Sequence, residues 1–397
     1  MSTIYICGYL NFPRGSASAN YIQYLSMLFH EIGYKVVIIS DINKDEMHLN
    51  DNFVNRNKDW LELKEVVSFQ HNANILIRHI NVLFYEPRGL INKLSEYDLK
   101  QGDIIFAYTS NTFIHRAMQK FAKDKDVYAG ASVVEWFPRT MYNKWLINID
   151  YWKTFINFKW ILKRYDFLFP ISSFINDHFK KFGSKTMCLP ILTDPFEFKY
   201  LPKSNSGKVK IIYSGNGKIK DDIESLLKGF MLLDSKFKEK IELHLCGVTK
   251  KYASQIMSAE YLSSKSIVFH DWMKYEELIE LYQNTDFLML PRKLNQMTRA
   301  NFPSKVPETM CYGIIPIASD VGDYTRLYLK DGENSIIMHG SSPALCKEAL
   351  EKAALMNTKE RKRMEENARS TSIEIFYYLN WKTKVSDFLN EIEYGSV

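Results

Sequence analysis

Residues 302–335 have the layout of a ligand-binding half-domain. Phe302, Pro303, Ser304, Lys305, Val306, Pro307 and Glu308 run through Met310, Cys311 and Tyr312 to Gly313, and an apolar run at 314–318 opens into a polar loop at Ser319. The pattern predicts a polar loop, a short helix that carries Glu308 and stops at Gly313, and then a strand. Ligands of open parallel sheets sit at the carboxyl ends of strands, against helix N-termini. A helix N-terminus favours an anionic group, and a carboxylate one turn inside suits a vicinal diol such as ribose. Without further context, the same stretch is an ordinary loop–helix–strand unit of an α/β domain.

Four other groups bear on chemistry. Ser214, Gly215, Asn216, Gly217, Lys218 and Lys220 follow the strand expected at 209–213. The glycines let backbone amides approach a phosphate, and the lysines bring charge. Arg292, Arg299 and Lys305 are further cation candidates, although any one of them taken alone reads as a solvated surface charge. The loop 8–20 contains Arg14, Gly15, Ser16, Ser18 and Asn20 without the spacing of a dinucleotide fingerprint or a P-loop. Gly15 suits anion binding there, while Ser18 and Asn20 suit helix capping. Glu135 stands at the end of the apolar run Val133, Val134, where it is either a working carboxylate or a paired structural one. His244 and His270 show no metal-ligand spacing and read as structural.

The elements that must position these groups alternate along the chain. Strands are expected at 4–7, 35–40, 75–83, 103–108, 126–135 and 166–171, with helices at 20–32, 112–123 and 173–182. After a polar linker at 202–207, strands are expected at 209–214, 241–246, 266–270, 286–290, 314–318 and 335–338, with helices between them. Strands alternating with helices through both halves predict two doubly wound parallel sheets.

The stretch around Glu308 resembles the nucleotide-sugar site of family-4-type glycosyltransferases, bacterial enzymes of surface polysaccharide synthesis with the GT-B fold. Their pattern is a glutamate, seven residues, a second glutamate, an Ala/Cys-x-Gly turn, an apolar strand and a Gly-rich loop. Glu308 matches the second glutamate, and Ala300 stands where the first would fall. Counting from Gly215 to Phe230 reproduces the family's spacing, with Asn216 at its arginine position and Asp221 at its lysine position. Lys218 and Lys220 lie near enough in sequence to substitute. The resemblance implies an α/β fold of two Rossmann-like domains facing each other across a cleft. Residues 1–200 would be the acceptor domain, 208–375 the donor domain, and 376–397 a helix crossing back to the first.

The activity implied is a retaining, metal-independent transfer of a sugar from a nucleoside-diphosphate sugar, UDP favoured, to a glycan or lipid-linked glycan. No cofactor is expected. Gly15, Gly215, Asn216, Gly217, Lys218, Arg292, Arg299, Pro303, Ser304, Val306 and Glu308 would hold the donor, with Trp272 and Met273 against its base. Lys220 and Lys305 would stabilise the departing diphosphate, and Glu135 would hold the acceptor hydroxyl. Ala300 and the altered lysine position leave two alternatives open: a transferase-like protein that binds without turnover, or a sugar-nucleotide epimerase of the same fold.

Composition fits this reading. The chain has 397 residues, 46% hydrophobic and 25% charged, which suits two soluble globular domains. Its formal charge of +6 fits a phosphate-bearing ligand or an anionic membrane surface and is too weak to argue for nucleic acid. No apolar run reaches the roughly 20 residues that span a bilayer, and the N-terminus enters a strand at once, so the chain reads as cytoplasmic. Cys7, Cys188 and Cys246 lie in apolar runs and are expected to be buried thiols. Residues 140–165 combine Trp145, Trp152 and Trp160 with Lys144, Lys153, Lys159, Lys163 and Arg164. That segment is either a core-packed helix pair with charged edges or a reversible contact with the inner membrane face.

Overall fold

The computed structural model describes residues 1–395 apart from 14–15, 49–51, 69–73, 202, 204–206, 216, 218, 271–272 and 274. The chain forms two compact units, residues 1–192 with 378–397, and residues 193–377. The first contains β1 (Thr3–Cys7), β2 (Lys35–Ser40), β3 (Leu61–Glu65), β4 (Ile104–Ala107), β5 (Tyr128–Val133) and β6 (Phe167–Pro170). They form one sheet in the order β3-β2-β1-β4-β5-β6, and every neighbouring pair is parallel. The second contains β7 (Val209–Ser214), β8 (Ile241–Cys246), β9 (Ile267–His270), β10 (Phe287–Leu290), β11 (Ile315–Ser319) and β12 (Ile336–Met338). Its order, β12-β11-β10-β7-β8-β9, repeats the first topology with all pairs parallel. In each unit the order reverses between the first and fourth strands. A crevice therefore opens beyond the carboxyl ends of β1 and β4, and of β7 and β10.

Most strands form where the chain is largely apolar, because helices cover both faces of a parallel sheet. All four residues of β4, β6 and β10 are buried. The edge strand β3 escapes a reading based on apolar runs, since only Leu61 of its five residues is buried. The expected strand over 75–83 is instead helical: an α-helix Ile75–Ile80 continues into a π-helix Asn81–Tyr85. That run is rich in β-formers, but Ile77, Ile80 and Phe84 remain exposed, so no sheet claims them. The helix Ala17–Ile32 is capped by Ser16, whose hydroxyl accepts from the Ala19 amide 3.0 Å away, and not by Ser18 or Asn20. Cys7 and Cys246 are buried, whereas Cys188 is half-buried.

Residues 193–207 belong to the second unit. Thr193 donates its N–H to Phe376 at 2.8 Å, Phe198 packs edge-on to Tyr312, and Lys203 lies 3.7 Å from Glu365. The last helix, Lys382–Tyr394, belongs to the first unit. It buries Val385, Leu389 and Ile392 along one stripe, and Phe388 meets Phe167 and Phe169 of β6. Glu393 accepts the Tyr34 hydroxyl at 2.8 Å. Each fully buried aliphatic side chain of this stripe contributes about 1.5–3 kcal/mol.

Candidate functional site

The crevice of the second unit collects charged side chains from three separated loops. Arg292 stands two residues beyond β10, Lys305 opens the helix Lys305–Cys311, and Asp221 precedes the helix Ile223–Met231. Arg292 Nε donates to Asp221 Oδ1 at 2.8 Å, and its Nη1 to Asn301 Oδ1 at 3.0 Å. Lys305 Nζ lies 3.2 Å from Asp221 Oδ2 and also donates to the Ser214 carbonyl at the end of β7. The Tyr213 hydroxyl donates to Asp221 Oδ2 at 2.9 Å and accepts the Gly217 amide at 3.0 Å. The side chains are 3% exposed for Arg292, 8% for Asp221 and 18% for Lys305. Two cations thus surround one carboxylate, leaving one net positive charge at the topological switch point.

Burying these charges is costly, and their mutual contacts set the protonation states. Burial opposes the ionised form of Asp221, but Lys305 and Arg292 overcome it and hold its carboxyl well below the usual carboxylate range. Burial pulls the Lys305 ammonium down, Asp221 works against that fall, and Arg292 and Lys220 add to it. Burial also disfavours charge on Arg292, yet Asp221 outweighs it and the guanidinium rises. Burial, then the Asp221 charge, pushes the Tyr213 phenol far up, so it remains a donor.

Gly215 makes this convergence possible. A Cβ at that position would stand 2.9 Å from both Lys305 Nζ and the Tyr213 hydroxyl, so any side chain would displace the cluster. Gly217 has φ of +65°, which favours glycine, and its amide is spent on Tyr213.

Glu308 is half-buried on the Lys305–Cys311 helix. With burial, its charge raises the pKa of Tyr282, whose hydroxyl lies 3.0 Å from Ser214 Oγ. Glu308 and Lys305 therefore both border the end of β7. The helix itself offers few amides to a ligand, because the Val306 N–H is donated to Pro303 at 3.0 Å, and Pro307 has none. Val306 is fully buried and packs the core, and Pro303 is buried as well. Ser304 is half-buried, and Arg299 is exposed on a short helix, Gln296–Ala300. Lys220 is half-buried one residue before Asp221, and Met273 is half-buried beyond β9. His244 and His270, on β8 and β9, bond each other at 2.9 Å, and His244 also bonds Glu242 at 2.8 Å. Gly15, Asn216, Lys218 and Trp272 lie outside the described residues. Asp221, Tyr213 and Asn301 are site members that sequence reasoning missed. The one signal was the acidic residue at a position where the resembled family carries a lysine.

In the first unit, the crevice beyond β1 and β4 is lined by tyrosines. The Gly8 backbone lies so close to Tyr108 that a Cβ would stand 2.2 Å from its carbonyl oxygen. The Tyr108 ring is 5.4 Å from that of Tyr21, whose hydroxyl lies 3.0 Å from Ser132 Oγ. Glu135, half-buried just past β5, acts electrostatically on Tyr108 and on Tyr142. Trp136 turns away from this group and stacks on Phe158 at 4.4 Å.

Two parallel sheets of Rossmann order, one with a buried cation pair at its switch point, define the class of doubly wound α/β proteins. Residues 197–371, which fall inside the second unit, match the family described as glycosyl transferases group 1. No curated protein sequence matches the chain. Among solved structures, sucrose-phosphate synthase from Thermosynechococcus elongatus is similar over 100% of both chains, with 13% identity and a TM-score of 0.75. Anabaena Alr3699/HepE, solved with UDP and glucose, has 11% identity and a TM-score of 0.70, covering 98% of this chain and 100% of its own. WaaG, a glycosyltransferase involved in lipopolysaccharide biosynthesis, has 14% identity and a TM-score of 0.65, covering 99% of this chain and 100% of its own. These likenesses establish the GT-B fold expected from the sequence.

Proposed function

We propose that the chain transfers a sugar, with retention and without a metal, from a nucleoside-diphosphate sugar to a glycan or lipid-linked glycan of a surface polysaccharide. The observation that carries this reading is the Lys305–Asp221–Arg292 cluster at the switch point of the unit that the family matches. In the proposal, the donor diphosphate lies against Lys305 and Arg292, with Lys220 adding charge nearby. The ribose lies on Glu308, and the base lies near Met273. Negative charge grows on the leaving diphosphate as the glycosidic bond breaks, and fixed cations stabilise that state more than the ground state. Glu135 holds the acceptor hydroxyl. The preference for UDP is supported by HepE, which was solved with UDP and with UDP-glucose.

A thermal-shift panel of UDP-, GDP-, ADP- and CMP-linked sugars tests the donor site. Stabilisation by one nucleotide class, lost in Lys305→Ala, is expected. No shift with any of them, or an equal shift in the variant, would refute the site. Ala300, fully buried and without a carboxylate, favours a second reading in which the donor binds without transfer or is epimerised. Epimerisation needs no acceptor, so donor conversion in its absence separates that case.

Membrane contact is part of the proposal and rests on the first unit. Among the described residues, no helix is long and apolar enough to cross a membrane. Met141, Leu146, Ile147, Ile149, Trp152 and Trp160 are nevertheless exposed, while Phe158, Ile161 and Leu162 pack on the core, so the segment is anchored inside and presents apolar side chains outside. The exposed surface continues beyond it. Thr112 bonds the Lys153 carbonyl, and neighbouring Phe113 meets Phe84 at 6.2 Å, which joins the π-helix Asn81–Tyr85 to the same side. Apolar side chains with Lys144, Lys159 and Arg164 among them suit an anionic lipid surface.

A further inference from the structure

We infer that Asp221 is a positioning residue, an internal counter-anion that keeps Lys305 charged and fixes both Lys305 and Arg292 for a diphosphate. The inference rests on the donor-site reading above. Its basis is geometric. Asp221 is nearly buried and spends both carboxylate oxygens on the cluster: Oδ1 on Arg292 at 2.8 Å, Oδ2 on Lys305 at 3.2 Å and on the Tyr213 hydroxyl at 2.9 Å. The two cations come from different elements, one beyond β10 and the other on the helix Lys305–Cys311, so Asp221 is what ties them together. Its loop is held in turn, since the Asp222 amide donates to Pro291 at 2.7 Å and the Ser341 hydroxyl to Asp222 at 2.9 Å.

The groups acting on Lys305 are few. Asp221 favours its charge, and Arg292 and Lys220 oppose it, as does burial. The Tyr213 ring, 5.1 Å from Nζ, is neutral. Among the described residues, Asp221 is the carboxylate bonded to Lys305, at 3.2 Å, while Glu308 lies three positions on along the same helix. Without Asp221, burial and two like charges weigh more heavily on the ammonium, which loses its proton more easily. An anion bound to that ammonium would then be released as pH rises. Asp221 thus stands where the resembled family has a lysine, and it makes cations from other loops usable.

The test is UDP binding by calorimetry between about pH 7.5 and about pH 9, where the UDP phosphates are already ionised. Wild-type affinity should change less than about threefold, and Asp221→Asn should lose about tenfold or more, since one unit of pKa is tenfold in proton affinity. Asp221→Asn combined with Lys305→Arg should again be flat, because a guanidinium does not titrate in this range. A flat profile in Asp221→Asn, or one that Lys305→Arg does not flatten, overturns the inference. A ligand-free arm separates this from failure of the donor site. The Lys305 Nζ titration, followed by NMR in lysine-labelled protein, should move down by about one unit or more in Asp221→Asn. An unchanged midpoint overturns the counter-anion role. Wild type that ignores UDP, or Lys305→Ala that binds UDP normally, overturns the donor site instead. If Asp221→Asn does not fold, Asp221→Asn with Lys305→Met should fold, because the cluster's net charge returns to the wild-type value of one positive charge. Continued unfolding of that pair would mean that Asp221 only packs, which also overturns the inference.

Discussion

Arg292→Ala probes the cluster where its geometry is tightest. The guanidinium is 3% exposed and donates to Asp221 at 2.8 Å and to Asn301 at 3.0 Å. Hydrogen bonds that involve a charged group contribute about 1.5–3 kcal/mol each. Removing one partner of a buried ion pair costs about 3–5 kcal/mol when the other charge is left alone. Asp221 is not left alone here, because Lys305 stays at 3.2 Å and Tyr213 at 2.9 Å. The expected loss is therefore about 2–4 kcal/mol. Arg292→Lys should fall between, since an ammonium cannot serve Asp221 and Asn301 through one planar fork. Hydrogen exchange of peptides from β7 and β10 reads the second unit without contribution from the first. A loss under about 1 kcal/mol in Arg292→Ala would refute the reasoning, because it would mean the pair contributes little more than a surface ion pair does.

Four further outcomes follow. Glu308→Ala should weaken nucleoside-diphosphate binding by about 1–3 kcal/mol, and unchanged affinity by calorimetry would remove Glu308 from the site. Gly215→Ala should weaken the same binding at least as strongly as Lys305→Ala, because its Cβ would stand 2.9 Å from Lys305 Nζ; wild-type affinity would show that the cluster tolerates displacement. The depressed pKa of Asp221 stabilises the fold above the unfolded-state value of about 3.9, and that contribution fades as pH falls through the folded value. Acid titrations should therefore show a smaller stability loss below about pH 4 in Asp221→Asn than in wild type, and equal losses would contradict the sign. Vesicles of anionic lipid should sediment the protein at low salt and release it at high salt. Phe84→Ser and Trp152→Ser should each reduce recovery, and identical recovery from neutral and anionic vesicles would end the membrane reading.

Most of the sheet scaffold was legible in the sequence because parallel strands are buried on both faces. The runs at 209–214, 241–246 and 286–290 are mostly apolar, with Lys210, Glu242, His244 and Asp286 as the charged or polar interruptions, and their hydrophobicity marks them. Leu61–Glu65 was not legible, because an edge strand needs little burial. Residues 75–83 misled for the opposite reason: their β-branched side chains suit a strand, but the segment is helical. At the site, Lys305, Arg292 and Glu308 stood out as charges beside a strand end. Their meeting at Asp221 was hidden, because residues 221, 292 and 305 converge only when β7 and β10 pair. Val306 illustrates the converse: it lies next to Lys305 in sequence, yet it faces the core with 0% exposure.

The measurement that bears most directly on the account is release of nucleoside diphosphate from the donor selected by the thermal-shift panel, with and without a lipid-linked glycan acceptor. The account predicts release that depends on acceptor, collapses in Lys305→Ala and yields a product with the donor's anomeric configuration. A donor that binds tightly but is never cleaved, or is converted to another sugar nucleotide without acceptor, would contradict it.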